Sequence, residues 1–462
     1  MILKQLYTKC LAQGAYFLSS KGEAAIVDPL REVQPYLDLA AENDSRIKYI
    51  FLTHFHADFV SGQVDLAKAT GAQVILGPNA KADYDYYSAS DDEFFSIGDL
   101  SIQVLHTPGH TMESSCYLLY DEHQKPEALF TGDTLFIGDV GRPDLAAKSD
   151  LTTQDLAGHL YDSLHNRIAP LPDDIIVYPA HGAGSACGKN MSSETSDTLG
   201  NQRQTNYAFK LDREAFIKEL TSDLAAPPAY FPENVAMNKK ENTAFDSIIA
   251  QGTKALTPQE FKAMAGQEDV LVLDTRDPSA FAKASIPGAL FVGLNGQFAP
   301  WVGAVIPDID QNIIYIAESG KEEEVVTRLS RVGYDRSLGF LDGGIAAWKD
   351  AGLETTTIKE VEAQELIDKM ENSDEIHVID VRKPSEYKTS HIQGVPLFSL
   401  DEVHQNVQQL DATQEYHIHC AGGYRSLIYA SIAKRYGIDK VVNVKGGYGA
   451  IKKTSMSTTS LT

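Results

Sequence analysis

Up to about residue 190 the chain is built from short apolar runs, AAIVDP, YIFLTH, AQVILGP, SIQVLHTPGH, SCYLLY, ALFTGD and IIVYPAH. Runs of this length, rich in branched and aromatic residues, predict buried strands. Between them VSGQVDLAKATG and TTQDLAGHLYDSL carry the helical pattern instead. The alternation predicts an α/β layered fold. Four of the strand runs deliver His54, His110, Asp133 and His181 at their ends, the place where such folds carry their active sites.

From about residue 195 to 245 a helical pattern gives way to the proline-bearing LAAPPAYFPENVAMN, which reads as a domain tail and linker. Beyond it the pattern repeats. VLDTRDPSAFAKASIPGA at 272–289 answers VIDVRKPSEYKTSHIQGV at 378–395, and LDGGIAAW at 341–348 answers VKGGYGAI at 444–451. Asp274 and Arg276 stand 106 positions before Asp380 and Arg382. That period is too long for a solenoid, so two copies of one small α/β domain follow the first. The expected domains are 1–245, 255–355 and 360–455, in keeping with 462 residues at about 150 per domain.

Composition narrows the partners. Lys and Arg total 40 against 64 for Asp and Glu, a net charge of −24, and a sequence-independent nucleic-acid binder needs a basic footprint. Small molecules or small anions drawn into local positive pockets suit the chain better. The start, MILKQLYTKCLAQGAYFLSSKGE, has lysines at 4 and 9 and no uninterrupted apolar stretch of signal-peptide type. No apolar run approaches the ~18 residues of a membrane span. Cys10, Cys116, Cys187 and Cys420 form no CxxC pair, which suits a reducing compartment. A cytoplasmic protein with no membrane association is expected.

THFHADF at 53–59 puts His54, His56 and Asp58 in one segment, and His110 in TPGH, Asp133 in TGD and His181 in PAHG complete a candidate metal constellation. A lone histidine is more often a core or surface residue than a ligand, but six such residues after strands form a set. Phe59 stands where many metallohydrolases have a further histidine. The set resembles the metallo-β-lactamase superfamily over roughly residues 1–245, and the resemblance implies an αββα sandwich with the metal between the edges of its two sheets. Binuclear members need a histidine at position 59, so the resemblance implies one ion. THFHADFVSG, with GDVGRPD at 138–144 and HGAGSACG at 181–188, looks most like the persulfide dioxygenase branch.

That likeness implies one Fe(II) per chain held by His54, His110 and Asp133, with His56, Asp58 and His181 behind them orienting ligands or water. Two imidazoles and one carboxylate on one face of an iron leave the other face for a persulfide and dioxygen. Zinc, without redox chemistry, does not activate oxygen. By spacing alone the HxH pair also suits zinc, with His56 as a third histidine. Arg142 is a candidate for holding the carboxylate of a thiol carrier and equally a solvated loop arginine. Cys187, in a glycine-rich stretch, is a candidate sulfur acceptor near the metal and equally a small buried thiol.

The second signal is YHIHCAGGYRSLIYASIAKRYG. An apolar strand delivers Cys420 into a tight loop, and a helix starts as the loop ends. Gly422 and Gly423 allow successive backbone N–H groups to turn inward as an anion nest, while the helix N-terminus and Arg425 add positive potential. Such a setting favours a thiolate or persulfide anion. Only Ala421, Gly422, Gly423 and Tyr424 separate Cys420 from Arg425, a ring sized for a terminal sulfur rather than a phosphate. With DVRKPSEYKTSHIQG upstream, the loop resembles a rhodanese, a sulfurtransferase. The likeness implies Cys420 as the persulfide-bearing nucleophile and Arg425 as loop anchor and anion contact.

The middle copy has no cysteine, and its corresponding loop reads IAESGKEEEVV. Glu322, Glu323 and Glu324 would repel an anionic persulfide. It is expected to be an inactive rhodanese-like domain, either a spacer or an interface for a homo-oligomer.

The domain order resembles the persulfide dioxygenase and sulfurtransferase fusions of bacterial sulfide detoxification. The implied reaction oxidises a low-molecular-weight thiol persulfide with dioxygen to sulfite and thiol, and Cys420 moves sulfane sulfur with thiosulfate as product or donor. Two rivals stand beside it. One is a zinc-dependent thioester hydrolase of the glyoxalase II type fused to rhodanese domains, against which Phe59 argues because that hydroxide bridges two ions. The other is a non-enzymatic sulfur-carrier scaffold in which Cys420 only stores sulfur.

Overall fold

Successive residues of the strand Gln13–Ser20 point to opposite sides, and the chain buries both sides. Ala15 and Phe17 pack with Tyr36, Ala40 and Leu66 from helices, while Tyr16 and Leu18 pack with Tyr117, Leu119 and Phe130 of a second sheet. On that second sheet Cys116 and Leu118 turn the other way, against Ala157, Leu160 and Phe216. Three apolar layers in this order make an αββα sandwich, the fold expected from the sequence. The computed structural model describes residues 1–147, 151–224, 226–372 and 376–461, so Ala225 of the linker lies outside them.

Contacts divide the chain into one unit of Met1–Phe245 with Ser330–Gly333 and another of Asp246–Leu329 with Tyr334–Thr462. In the first unit, one sheet runs in chain order Ile2–Thr8, Gln13–Ser20, Glu23–Val27, Arg46–Leu52, Gln73–Leu76 and Tyr87–Ser88. The other runs Asp197–Thr198, Ile176–Pro179, Pro126–Gly132, Ser115–Tyr120, Leu100–His106 and Phe94–Ile97. The seven apolar runs of the sequence all became strands within these sheets. The antiparallel hairpin Ile2–Thr8 with Gln13–Ser20 was not among them, because MILKQLYTK interleaves polar residues with apolar ones. TTQDLAGHLYDSL forms the helix Thr153–Ser163, opened by a capping box in which Thr152 and Asp155 serve each other's backbone N–H.

The second unit holds two parallel sheets of matching order. One runs Ala255–Leu256, Ser337–Leu341, Asn312–Ile316, Val270–Asp274 and Leu290–Phe291. The other runs Lys359–Val361, Val441–Val444, Tyr416–His419 and His377–Asp380. The repeat extends to single bonds. Arg276 and Arg382 each grip the aspartate two residues back at 2.6 Å and donate at 2.8 Å to the carbonyl eight residues on, of Ala284 and Ser390. Among the described residues no helix is long and apolar enough to cross a membrane.

Candidate metal centre and cysteine loop

Parallel pairing brings the donors together in the first unit. Glu23–Val27 runs parallel to Arg46–Leu52, so the residues just past their ends, Asp28 and Thr53, lie side by side. Thr53 donates from its backbone N and its Oγ1 to the two Asp28 carboxylate oxygens, each at 2.8 Å. The same hydroxyl sits 3.0 Å from His54 Nδ1, which turns Nε2 inward. On the other sheet Pro126–Gly132 runs parallel to Ile176–Pro179 and delivers Asp133 beside His181. Gly132 has φ +52°, and a Cβ there would meet Thr53 Oγ1 at 2.5 Å, so only glycine fits this approach of the two sheets.

His54 Nε2 and His110 Nε2 lie 3.8 and 3.5 Å from Asp133 Oδ2, and the three residues form one buried donor group. His110 Nδ1 is held 2.8 Å from the Arg142 carbonyl, an outer contact of the kind that fixes a ligating imidazole's tautomer. Burial, followed by the neighbouring His56, His110 and His181, pushes the His54 pKa well below its usual value, leaving the neutral imidazole a metal requires. Among the described residues neither Asp133 carboxylate oxygen has an N–H or O–H donor. A buried carboxylate left so carries a large desolvation cost, which a cation offsets. The donor set fits one metal ion.

Phe59 is fully buried and stacks on His56 with ring centroids 4.3 Å apart. His56 Nε2 faces Asp28 Oδ1 at 3.1 Å. Asp58 Oδ2 lies 3.4 Å from His181 Nε2, and Asp133 Oδ1 lies 3.7 Å from the same nitrogen. Burial lowers the His181 pKa, yet Asp58 and Asp133 outweigh it and hold the imidazole at about 9. His56, Asp58 and His181 thus form a second donor group beside the first, with a phenyl ring against it.

Arg142 is buried with its guanidinium on Asp144 through two bonds of 2.7 Å. Its carbonyl, rather than its charge, reaches the donor group. Cys187 is buried, and its sulfur belongs to a third close group with Asp133 and His181. Burial, then the charges of Asp58 and Asp133, push this thiol well above its usual pKa. Two residues were missed in the sequence. Asp28, within the run AAIVDP, directly follows the strand Glu23–Val27 much as the other candidates follow theirs, so the signal was present. Asn238 gave none: from the tail helix Phe231–Asn238 its Nδ2 donates to the carbonyls of His56 and Phe59, both at 2.8 Å, while its Oδ1 accepts from Ser61 N.

In the second unit the strand Tyr416–His419 delivers Cys420, and the helix Tyr424–Arg435 begins after Gly423, whose φ is +96°. That turn aims the Gly423 N–H at Cys420 Sγ, 3.1 Å away, with Ser426 Oγ at 3.6 Å. Arg425 donates two bonds, of 2.6 and 2.9 Å, to Glu386. It anchors the loop, and its charge is matched by Glu386. A cavity of about 320 Å³ opens over Cys420, lined by Gln297, Trp301, Lys383, Glu386, Gly422, Tyr424 and Arg425. The corresponding stretch of the cysteine-less copy runs instead into the helix Glu322–Arg331 with three glutamates in its first turn.

The metallo-β-lactamase superfamily model matches residues 9–181, and the rhodanese-like domain model matches twice, at 257–351 and 362–454. The probable hydroxyacylglutathione hydrolase glo2 of Schizosaccharomyces pombe is 36% identical over 161 residues, 34% of this chain and 58% of the hydrolase's own length. The human mitochondrial persulfide dioxygenase ETHE1 is 29% identical over 222 residues, 47% of this chain and 80% of its own. The crystal structure of a metallo-beta-lactamase from Staphylococcus aureus subsp. aureus COL is 30% identical with a TM-score of 0.66, and the match covers 74% of this chain and 98% of that one. With the sandwich, the donor group at its sheet edges and the repeated parallel sheets behind it, the chain belongs to the metallo-β-lactamase superfamily and carries two rhodanese-like domains after its metal domain.

Proposed function

We propose that the chain is a mononuclear Fe(II) persulfide dioxygenase joined to a thiosulfate sulfurtransferase, acting on a low-molecular-weight thiol persulfide. The observation that carries this reading is Phe59, stacked on His56 where a second metal would need a nitrogen ligand. In this reading His54, His110 and Asp133 hold the ion, and bound iron supplies the chemistry that joins dioxygen to persulfide sulfur. The chain's own residues orient and shield. Thr53 and Asp28 fix the His54 ring, the Arg142 carbonyl fixes His110, and the Phe59 ring covers His56. The overall conversion takes one persulfide, one dioxygen and one water to thiol and sulfite.

The identity with glo2 keeps a zinc-dependent thioester hydrolase as the second reading. Anaerobic purification, metal analysis and oxygen uptake with glutathione and coenzyme A persulfides separate the two. One iron per chain with persulfide-dependent oxygen uptake is expected. Two zinc ions with hydrolysis of a glutathione thioester would overturn the proposal, and the absence of either activity would leave a sulfur carrier.

A further inference from the structure

The strand Val441–Val444 pairs on both sides, yet its sequence VVNV carries an asparagine in the middle. Asparagine is depleted in strands, and a buried amide costs free energy unless its ends are bonded. Asn443 is 1% exposed, and both ends are used. Its Nδ2 donates to Glu360 Oε1 at 3.0 Å, and its Oδ1 accepts from Ser426 Oγ at 2.6 Å. A carboxylate only accepts, so Glu360 fixes which end of the amide faces Ser426. Glu360 and Asn443 are register partners across the parallel sheet. Counted back from the matching LDGG and VKGG runs, the corresponding partners of the cysteine-less copy are Ala255 and Phe340. The polar series therefore accompanies the cysteine.

Ser426 is fully buried and has one hydroxyl proton for two acceptors, Asn443 Oδ1 at 2.6 Å and Cys420 Sγ at 3.6 Å. Sulfur is a weak acceptor, so the nearer amide oxygen takes the proton. The serine then turns its lone pairs to the sulfur. We propose that Glu360 and Asn443 are positioning residues that hold Ser426 as an acceptor towards Cys420, so that the resting cysteine keeps its S–H proton until sulfur transfer begins. This deepens the reading of Cys420 as the sulfur-carrying nucleophile and rests on it. Two contacts on the sulfur then oppose each other. The Gly423 N–H at 3.1 Å stabilises the anion, and the serine lone pair stabilises the thiol. The charged groups about the loop are the Arg425–Glu386 pair with Asp401 near it, Lys383 in the cavity, and the Asp380–Arg382 pair beside His419.

The test uses the full chain. Iodoacetamide alkylation of Cys420 is timed by peptide mass, at a pH where the wild-type rate still climbs with pH. Asn443→Leu changes no charge but removes the acceptor, so Ser426 gives its proton to the anionic sulfur. One such bond to a charged group raises the thiolate share about tenfold. The bonded thiolate is less nucleophilic, which offsets about half of that gain on a logarithmic scale, so alkylation should quicken about threefold. Glu360→Ala, at a half-exposed position, frees the amide to turn and should quicken it by less. Glu360→Gln removes the same charge yet still offers Asn443 an oxygen, and should recover part of the restraint. In a Ser426→Ala background the Asn443→Leu gain should vanish; a gain that persists there reports a loosened loop and overturns the proposal. Rates unchanged or slowed in Asn443→Leu overturn it as well. Should Asn443→Leu not fold, the Glu360 variants decide alone: equal rates in Glu360→Ala and Glu360→Gln would trace the effect to charge and sink the positioning role. Failure of thiosulfate to load sulfur on wild-type Cys420, read by mass, would instead remove the reading on which the proposal stands.

Discussion

Asp28 shows how much a residue outside the metal-ligand pattern controls. It accepts both Thr53 bonds and faces His56, so it orients the rings without reaching Asp133. Asp28→Asn should lower metal affinity by about 10–100-fold, the usual range for an outer-shell partner, measured by competition with a chelator; unchanged affinity would place Asp28 in the scaffold only. Glu386 makes the parallel case at the other site. Burial raises its pKa, but the Arg425 guanidinium outweighs that and holds it below its usual value of 4.5. A depressed folded pKa means that the pair's stability is present above about pH 4.5 and is lost as pH falls through the folded pKa. Glu386→Gln should destabilise the chain by about 1 kcal/mol at neutral pH, since the pair is partly exposed, and the gap from wild type should close in acid unfolding curves.

At the scale of elements, the tail helix Phe231–Asn238 does more than end a domain. Its Asn238 satisfies two buried carbonyls and one N–H of the segment from His56 to Ser61. Asn238→Ala leaves these groups without partners where water does not reach, and should cost about 3 kcal/mol together with a loss of bound metal. Thermal unfolding and metal content measured on one preparation check both parts. The strand ends tell the complementary story. Parallel neighbours finish at the same edge, so a histidine or aspartate just past each apolar run falls into the same place without further instruction.

At the scale of the whole molecule, a metal domain and a cysteine loop in one chain suggest a relay. If Cys420 passes sulfane sulfur to sulfite formed at the metal, early persulfide turnover should yield mainly thiosulfate. Cys420→Ser should then shift the product towards sulfite while oxygen uptake persists. Sulfite reacts with persulfides unaided, so a protein-free control is needed. Equal thiosulfate to sulfite ratios in wild type and variant would mean that the two activities run independently.

Hydrophobic periodicity by itself determined the seven strand runs, the tandem repeat and the strand-end positions of His54, His110, Asp133 and His181, because burial forces these patterns onto any sequence that folds this way. Motif spacing marked Cys420 and its loop in the same manner. Tertiary structure alone decided who attends these groups. Nothing local in the sequence ties Asn238 to Phe59, closes Arg425 on Glu386, or brings Gln297 and Trp301 to Cys420. These are contacts between residues far apart in the chain, each a single polar or aromatic side chain whose partner is fixed only when the layers pack. The middle copy is the sharpest example. Its missing cysteine reads plainly as lost chemistry, while its share in the cavity of the active copy depends on how two sheets and their helices meet.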